Sequence, residues 1–501
     1  MRGYESFVTN VRKQVFTEVA RLAYEGGDYS RMEEIPYKIV PGEIASHRES
    51  IFLERAIAGE RVRLAMGLPL RPITELRPLS EGVNDSAIAE KYYDPPLINI
   101  IQYACHACPT KQVRVSDLCQ GCLSRSCQQV CPKGAVSFEH GKSVIDQEKC
   151  IKCGKCADAC PYHAIVKLDR PCAVACGMDA IGSDEYGRAK INYDKCVSCG
   201  MCLVSCPFGA IVDKGQIFQL IHAMKKGYKV IAIVAPAFVG QFGDKLTPEK
   251  LTAAMKILGF DSVVEVAVGA DLCTLDEAKE YLERVEKGKS YMGTSCCPAW
   301  ISMVDICYPD QSDHISMTLT PMVLTARMVK KQHPDAKVCF IGPCAAKKLE
   351  ASRAHIRSDV DFVLTFEELQ GMFEAKEVWY ADVVGNDPLE QGTADGRGFA
   401  VSGGVAAAVQ HVVKELAPDV DMKIMNAEGL RDCRKMMALA KAGKLNGYLL
   451  EGMACPGGCV AGAGTIRPIQ KAATLVANYK KAAPKQSASQ SEFADLAEAL
   501  D

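Results

Sequence analysis

The chain has 501 residues, 48% of them hydrophobic, with 59 basic against 61 acidic side chains, enough material for two or three domains with sizeable cores. Its near-zero net charge leaves no electrostatic footprint for nucleic acid or an anionic membrane surface. No run reaches the about 18 apolar residues of a membrane span, and Met1-Arg2-Gly3-Tyr4-Glu5 lacks the apolar core of a signal peptide, so the expected compartment is the cytoplasm. In that reducing compartment the 25 cysteines are expected to serve metals or catalysis, not disulfides.

Residues 1–100 hold no cysteine. Phe7-Val8-x-x-Val11 and Val15-Phe16-x-x-Val19-Ala20-x-x-Ala23 carry the helical period, a proline-broken stretch follows, and a second helix is expected around Ile51 to Ala65. This helical N-terminal region reads as a cap or partner surface and suggests no chemistry of its own.

Residues 101–212 hold sixteen of the cysteines. Cys150-x2-Cys153-x2-Cys156-x3-Cys160-Pro161 and Cys196-x2-Cys199-x2-Cys202-x3-Cys206-Pro207 match the bacterial ferredoxin run, in which three thiolates hold one 4Fe-4S cluster and the fourth reaches a neighbour. A third version, Cys119-x2-Cys122-x4-Cys127-x3-Cys131-Pro132, has two extra residues before its third cysteine. Structural zinc also uses C-x2-C pairs but does not require the x2-x2-x3-Pro rhythm. Cys105-x2-Cys108 and Cys172-x3-Cys176 read as two halves of a split motif interrupted by a complete two-cluster unit. Sharing fourth cysteines groups Cys119, Cys122, Cys127 and Cys160; Cys150, Cys153, Cys156 and Cys131; Cys196, Cys199, Cys202 and Cys176; and Cys105, Cys108, Cys172 and Cys206. Three to four accessory 4Fe-4S clusters follow, because the split four could instead bind zinc, or His106 could replace one ligand. The nesting resembles the electron-transfer subunits of bacterial molybdenum oxidoreductases. Such a wire implies a redox site at its end.

Residues 213–480 alternate short apolar strands (Val230–Val234, Val338–Ile341, Tyr448–Leu450) with helices such as Met322 to Lys331 and Val405 to Leu416, which argues for an α/β domain with a largely parallel sheet. The fold class expected is therefore an α/β catalytic domain preceded by an α+β ferredoxin-like iron-sulfur domain and the helical region. Residues 481–501 turn to Lys, Gln, Ser and Ala and read as a flexible tail ending in a short amphipathic segment, Phe493 to Leu500.

Three loops of the α/β region carry the most specific signal: Thr294-Ser295-Cys296-Cys297-Pro298-Ala299-Trp300, Pro343-Cys344-Ala345-Ala346-Lys347-Lys348-Leu349-Glu350 and Glu451-Gly452-Met453-Ala454-Cys455-Pro456-Gly457-Gly458-Cys459. In identity and order they resemble the signature loops of iron-only (FeFe) hydrogenases, and the resemblance covers roughly residues 100 to 475. It implies an H-cluster, a 4Fe-4S cubane joined to a two-iron subcluster with CO, cyanide and a bridging azadithiolate. It further implies that Cys297, Cys344, Cys455 and Cys459 hold the cubane, with Cys459 bridging to the two-iron unit.

Heterolytic splitting of hydrogen needs a base beside the metal. Cys296, next to a ligand yet surplus to the cubane, is suited to pass that proton, since a thiol both donates and accepts. The resemblance continues the relay through Glu277, Ser316 and Glu280; without it, Glu277 and Glu280 would read as a solvated helix face. Lys347 is expected to anchor a cyanide by a charge-assisted hydrogen bond, whereas Lys348 reads as an ordinary surface lysine. The backbone of Pro236 and Ala237 resembles the loop cradling the other cyanide, and Ser402-Gly403-Gly404 and Met453 resemble pocket walls.

Departures from the best-known members are Gly342 where they carry methionine, Thr320-Pro321-Met322 where they carry Ser-Pro-Gln, and Ala461-Gly462-Ala463-Gly464-Thr465 in place of a triple glycine. With no recognisable 2Fe-2S domain, these look like the group B enzymes. Cys273, Cys307, Cys339 and Cys433 read as buried small hydrophobes. Gly396-Arg397-Gly398 and Gly462-Ala463-Gly464 lack the context of a dinucleotide fingerprint, so no NAD or flavin site is expected. The resemblance implies reversible oxidation of H2 to protons and electrons, a ferredoxin or similar electron carrier as partner, hydrogenase maturation proteins, and an anaerobic host. A hydrogen or redox sensor, and an iron-sulfur protein of the assembly-factor or prelamin-binding type without the two-iron unit, are the rival readings.

Overall fold

In the computed structural model, residues 3–500 are described apart from 93, 289, 386, 388 and 390. The N-terminal helix Phe7–Glu25 starts at Ser6, whose hydroxyl accepts the Thr9 amide while the Thr9 hydroxyl returns to the Ser6 amide, and it ends at Gly26 with φ 72°. Its stripe Val11, Val15, Phe16, Val19, Ala20 and Ala23 is buried against the helices Ile217–Lys225 and Phe366–Ala375 of the α/β region. The region is thus a cap whose apolar face is already used. The second helix, Ile51–Ala65, buries Glu54, Glu60, Arg61 and Arg63 along with its apolar residues, a polar content that periodicity does not announce.

The cysteine-rich region is nested. Strand Ile98–Ile100 pairs antiparallel with Ile211–Asp213, closing the outer unit, and within it Gln112–Val115 pairs antiparallel with Ile165–Leu168, closing the inner one. Two small hairpins, Val136–Glu139 with Lys142–Ile145 and Ile181–Ser183 with Ala189–Ile191, complete the ferredoxin-like pattern.

The α/β region contains two parallel sheets instead of one. The first runs Ser262–Glu265, Val230–Val234, Lys337–Gly342, Phe362–Thr365; the second runs Tyr291–Gly293, Tyr448–Met453, Lys423–Glu428. Val230–Val234 is buried along its whole length, as a parallel strand covered on both faces must be. All three signature loops, and Ala235-Pro236-Ala237, leave the carboxyl ends of parallel strands, where α/β folds place their sites.

Two expectations change here. Residues 481–501 are not a loose tail: Ala488 is fully buried, its amide donating to Asp395, and the Leu500 carbonyl accepts from Arg327 at 2.7 Å. Phe493, Leu496 and Leu500 supply the apolar face expected of the terminal segment. Lys348 is 1% exposed and lies in an ion network, its ammonium 2.7 Å from Asp213 and 3.0 Å from Glu368. No helix among the described residues is long and apolar enough to cross a membrane.

Candidate functional site

Five cysteines from the three loops converge. Cys296, Cys297, Cys344, Cys455 and Cys459 line one apolar cavity of ≈ 90 Å³, with Pro236 and Ala237 on one side and Met453 on another. Local structure explains the convergence. Cys297 precedes the helix Pro298–Cys307, Cys344 precedes Ala346–Glu350, and Cys459 opens a turn of 3-10 helix, so each thiol sits at a strand-to-helix corner. Two glycines set the spacing of the corners. A Cβ on Gly462 would lie 2.3 Å from the Pro343 carbonyl oxygen, so the third loop can touch the second only without a side chain there. A Cβ on Gly342 would meet the Phe340 ring at 2.5 Å, which explains why no longer side chain stands there: the ring itself forms part of the cavity wall.

Burial pushes the thiols up, Cys344 to about 11 and Cys459 to about 12, with neighbouring sulfurs adding to the effect and Lys347 opposing it. Neutral thiols in an apolar cavity are reluctant to ionise alone; a cationic metal group would reverse that preference. Lys347, 8% exposed, lines the same cavity. Its Nζ is paired with Glu350 Oε2 at 2.7 Å, which leaves the ammonium further N–H groups without an acceptor. Four convergent sulfurs and an ammonium with donors to spare fit an iron-sulfur group bearing hydrogen-bonding ligands.

The helix Ala267–Glu286 reaches the cavity wall through Ala270 and carries Cys273, Glu277, Glu280 and Arg284 at helical spacing farther along its length. Glu277 is fully buried: Oε1 accepts the Ser295 amide at 2.7 Å and Oε2 has no partner. Burial raises its carboxyl to about 8, with Glu280 and Glu451 contributing further. Burial also raises the Cys296 thiol, and Glu277 is the leading charge acting on it. Farther out, the Ser316 hydroxyl donates to Glu280 Oε2 at 2.5 Å, and Arg284 Nε donates to Glu280 Oε1 at 2.9 Å. Glu280 is part-exposed, so the series Cys296, Glu277, Glu280 with Ser316 runs from the cavity toward water.

Ser402 does not line the cavity; its hydroxyl is buried without a partner, and its amide donates to the Gly457 carbonyl behind the third loop. Cys273, Cys339 and Cys433 are fully buried, whereas Cys307 is partly exposed. Glu451 had no signal in sequence beyond its place before Gly452. It is fully buried and caps the helix Gly404–Leu416, accepting the Gly403 and Ala406 amides at 2.7 and 2.8 Å.

The sixteen upstream sulfurs gather by neighbourhood. Cys172 is raised to about 11 by burial and by Cys206, Cys105 and Cys108, while Cys202 is raised by burial and by Cys199, Cys196 and Cys176, with Cys172 beyond them. Cys131, Cys150, Cys153 and Cys156 line one small pocket. Cys119 and Cys127 meet over Ser143, whose amide and hydroxyl face their sulfurs at 3.4 and 3.7 Å, and Cys122 contacts Ser124. Cys127 and Cys160 share one apolar cluster with Cys131, Cys150 and Cys156 of the neighbouring set. His106 stacks on Phe208 at 4.5 Å. Cys199 joins the two regions: it lies in the wall of the five-cysteine cavity, and Cys297 is among the charges raising its thiol. No spacing rule could have singled it out from its motif partners.

Residues 228–463 match the family described as iron only hydrogenase large subunit, C-terminal domain, and residues 143–166 and 189–212 match 4Fe-4S binding domains. The periplasmic [Fe] hydrogenase large subunit of Nitratidesulfovibrio vulgaris is 32% identical over 374 residues, 64% of this chain and 85% of that protein. Iron hydrogenase 1 of Clostridium pasteurianum is 28% identical over 445 residues, 76% of each chain. A probable cytosolic Fe-S cluster assembly factor of Aedes aegypti is 26% identical over 282 residues, 45% of this chain and 58% of that protein.

Proposed function

Since the chain belongs to the iron-only hydrogenase family, we propose that it interconverts hydrogen with protons and electrons. The observation that carries the proposal is the cavity in which Cys296, four further cysteines and the ammonium of Lys347 meet. Cys297, Cys344, Cys455 and Cys459 would hold the H-cluster, whose iron supplies the redox-active, Lewis-acidic centre. The protein's own groups do the rest. Lys347 Nζ has a donor to spare for a cyanide-like acceptor, and the apolar lining from Pro236, Ala237 and Met453 excludes water. The Cys296 Sγ takes or gives the proton. Glu277, a neutral acid with a free Oε2 near neutral pH, passes it onward, and Ser316 and Glu280 deliver it toward solvent.

Electrons leave the other way. The sets around Cys199 and Cys206 and the two sets of the inner unit would hold four 4Fe-4S clusters, the first of them abutting the catalytic cavity through Cys199. A ferredoxin-type carrier and maturation proteins that deliver the two-iron unit are the partners this chemistry requires, and a reducing cytoplasm is the compartment that suits so many thiols.

The kinship with an assembly factor supports one rival, an iron-sulfur protein without the two-iron unit. Cys296 and Lys347 in the cavity wall, and Glu280 farther out on the Ser316 hydroxyl, favour the hydrogenase. Infrared spectra of protein matured with the two-iron cofactor decide: iron-bound CO and CN absorptions are expected, and their absence would eliminate the proposal. Cys296→Ala is expected to keep those bands and lose nearly all turnover.

A further inference from the structure

A second cavity, ≈ 710 Å³, separates the N-terminal helices from the cysteine-rich region, and no feature of the proposed reaction uses it. Its volume suits a drug-sized ligand. Of the outer sulfur set only Cys105 reaches its wall, so the cavity stands beside the space enclosed by Cys105, Cys108, Cys172 and Cys206 and is not that space itself.

Two guanidiniums line it. Arg61 is 4% exposed; its Nη2 donates to the Gly209 carbonyl at 2.8 Å, and its Nε has no partner. Arg48 donates through Nη2 to the Phe208 carbonyl at 2.8 Å. Neither forms an ion pair with a carboxylate among the described residues. The wall also carries two carboxylates, Glu54, whose Oε1 accepts the Ser46, His47 and Arg48 amides, and the exposed Glu49, and neither pairs directly with a guanidinium among the described residues. Burial, with Arg12 and Arg48 adding repulsion, brings Arg61 down to about 10. Guanidiniums match phosphate oxygens well, and neither of these two is engaged by a carboxylate. Planar surfaces complete the wall: His106 is stacked on Phe208 at 4.5 Å and 19°, and His106 keeps an exposed face.

We propose that this cavity binds a small molecule carrying a phosphate and a planar ring, the phosphate between Arg48 and Arg61 and the ring against His106. A dinucleotide fingerprint is not needed for this, because side chains and not a glycine-rich turn would hold the phosphate.

The test is calorimetric titration of the full, cluster-loaded chain with flavin mononucleotide, nicotinamide mononucleotide and inorganic phosphate, with no turnover involved. At least one mononucleotide is expected to bind, inorganic phosphate to bind more weakly and compete with it, and the two mononucleotides to rank by ring. Arg61→Met and Arg48→Met should each weaken binding by about tenfold or more. His106→Ala should weaken the mononucleotide and leave inorganic phosphate unchanged. Arg48, nearer the rim, tests the site even where the Arg61 variant misfolds. The proposal is overturned where none of the three probes binds up to on the order of 1 mM, or where binding survives Arg48→Met undiminished. A change in cluster potential on Arg61→Met without any ligand binding also overturns it, because the guanidinium would then serve only the neighbouring sulfur set.

Discussion

Glu277 holds one oxygen on the Ser295 amide and keeps the other dry and unpartnered. Its carboxyl, raised from 4.5 to about 8, binds its proton more tightly in the folded than in the unfolded chain. The stability this group contributes is therefore fully present below the ordinary carboxyl range and is lost as pH climbs through about 8. Glu277→Gln keeps a neutral side chain at every pH. We expect it to resist denaturant better than the parent by roughly 1–3 kcal/mol at pH near 9, and about equally at pH near 5. The same variant should lose most hydrogen turnover, since an amide cannot relay a proton. Equal pH profiles for the two proteins would show that Glu277 is not the buried acid described.

Lys347 and Lys348 show what a sequence conceals at this scale. Both are lysines in one short helix, and the resemblance marked the first as functional and left the second as an ordinary surface charge. What distinguishes Lys348 is distant in the chain: Asp213 closes the cysteine-rich unit and Glu368 opens a helix of the α/β region. Lys348→Met would strand two buried carboxylates, and unfolding titrations are expected to show a loss of about 3–5 kcal/mol.

At the scale of elements, the strands at Val230–Val234, Val338–Ile341 and Tyr448–Leu450 were legible because each is a continuous apolar run. The last of them continues past its apolar run through Glu451 to Met453, strands such as Lys423–Glu428 carry no such run, and the helix at Phe7–Glu25 was legible by its period. The division of the strands into two sheets was not legible, because apolar strands buried on both faces carry no mark of which neighbour they pair with. The pocket was legible as loops but not as a volume. Its closeness depends on contacts such as Gly462 against Pro343, which local spacing does not encode. Gly462→Ala should push the third loop off the second, at about 1–3 kcal/mol. The expected readout is reduced iron content at the catalytic site with the upstream clusters retained. Full loading of the variant would mean that the loops have slack.

For the whole molecule, composition misled at one end. Lys, Gln, Ser and Ala after Pro484 suggested a flexible tail, yet the segment docks through particular contacts: the Ser487 hydroxyl to Glu415, the Ala488 amide to Asp395 and the Leu500 carbonyl to Arg327. Polar residues that spend their hydrogen bonds on a partner look the same in composition as those that spend them on water. Removing residues 484–501 is expected to destabilise the α/β region by about 2 kcal/mol, seen as an earlier thermal transition. An unshifted transition would mean that the docked segment contributes nothing.

The buried ammonium of Lys348 also bears on how this architecture can be divided. Asp213, one of its counter-ions, lies upstream of the segment 228–463 that carries the catalytic family's signature, and Arg12, 3.8 Å from Asp213, belongs to the first helix of the chain. A minimal fragment cut at the homology boundary would keep the five loop cysteines of the cavity but lose Cys199 from its wall. It would also lose half of the charge balance beneath the second loop, so the portable unit of this architecture is larger than the unit that sequence kinship outlines.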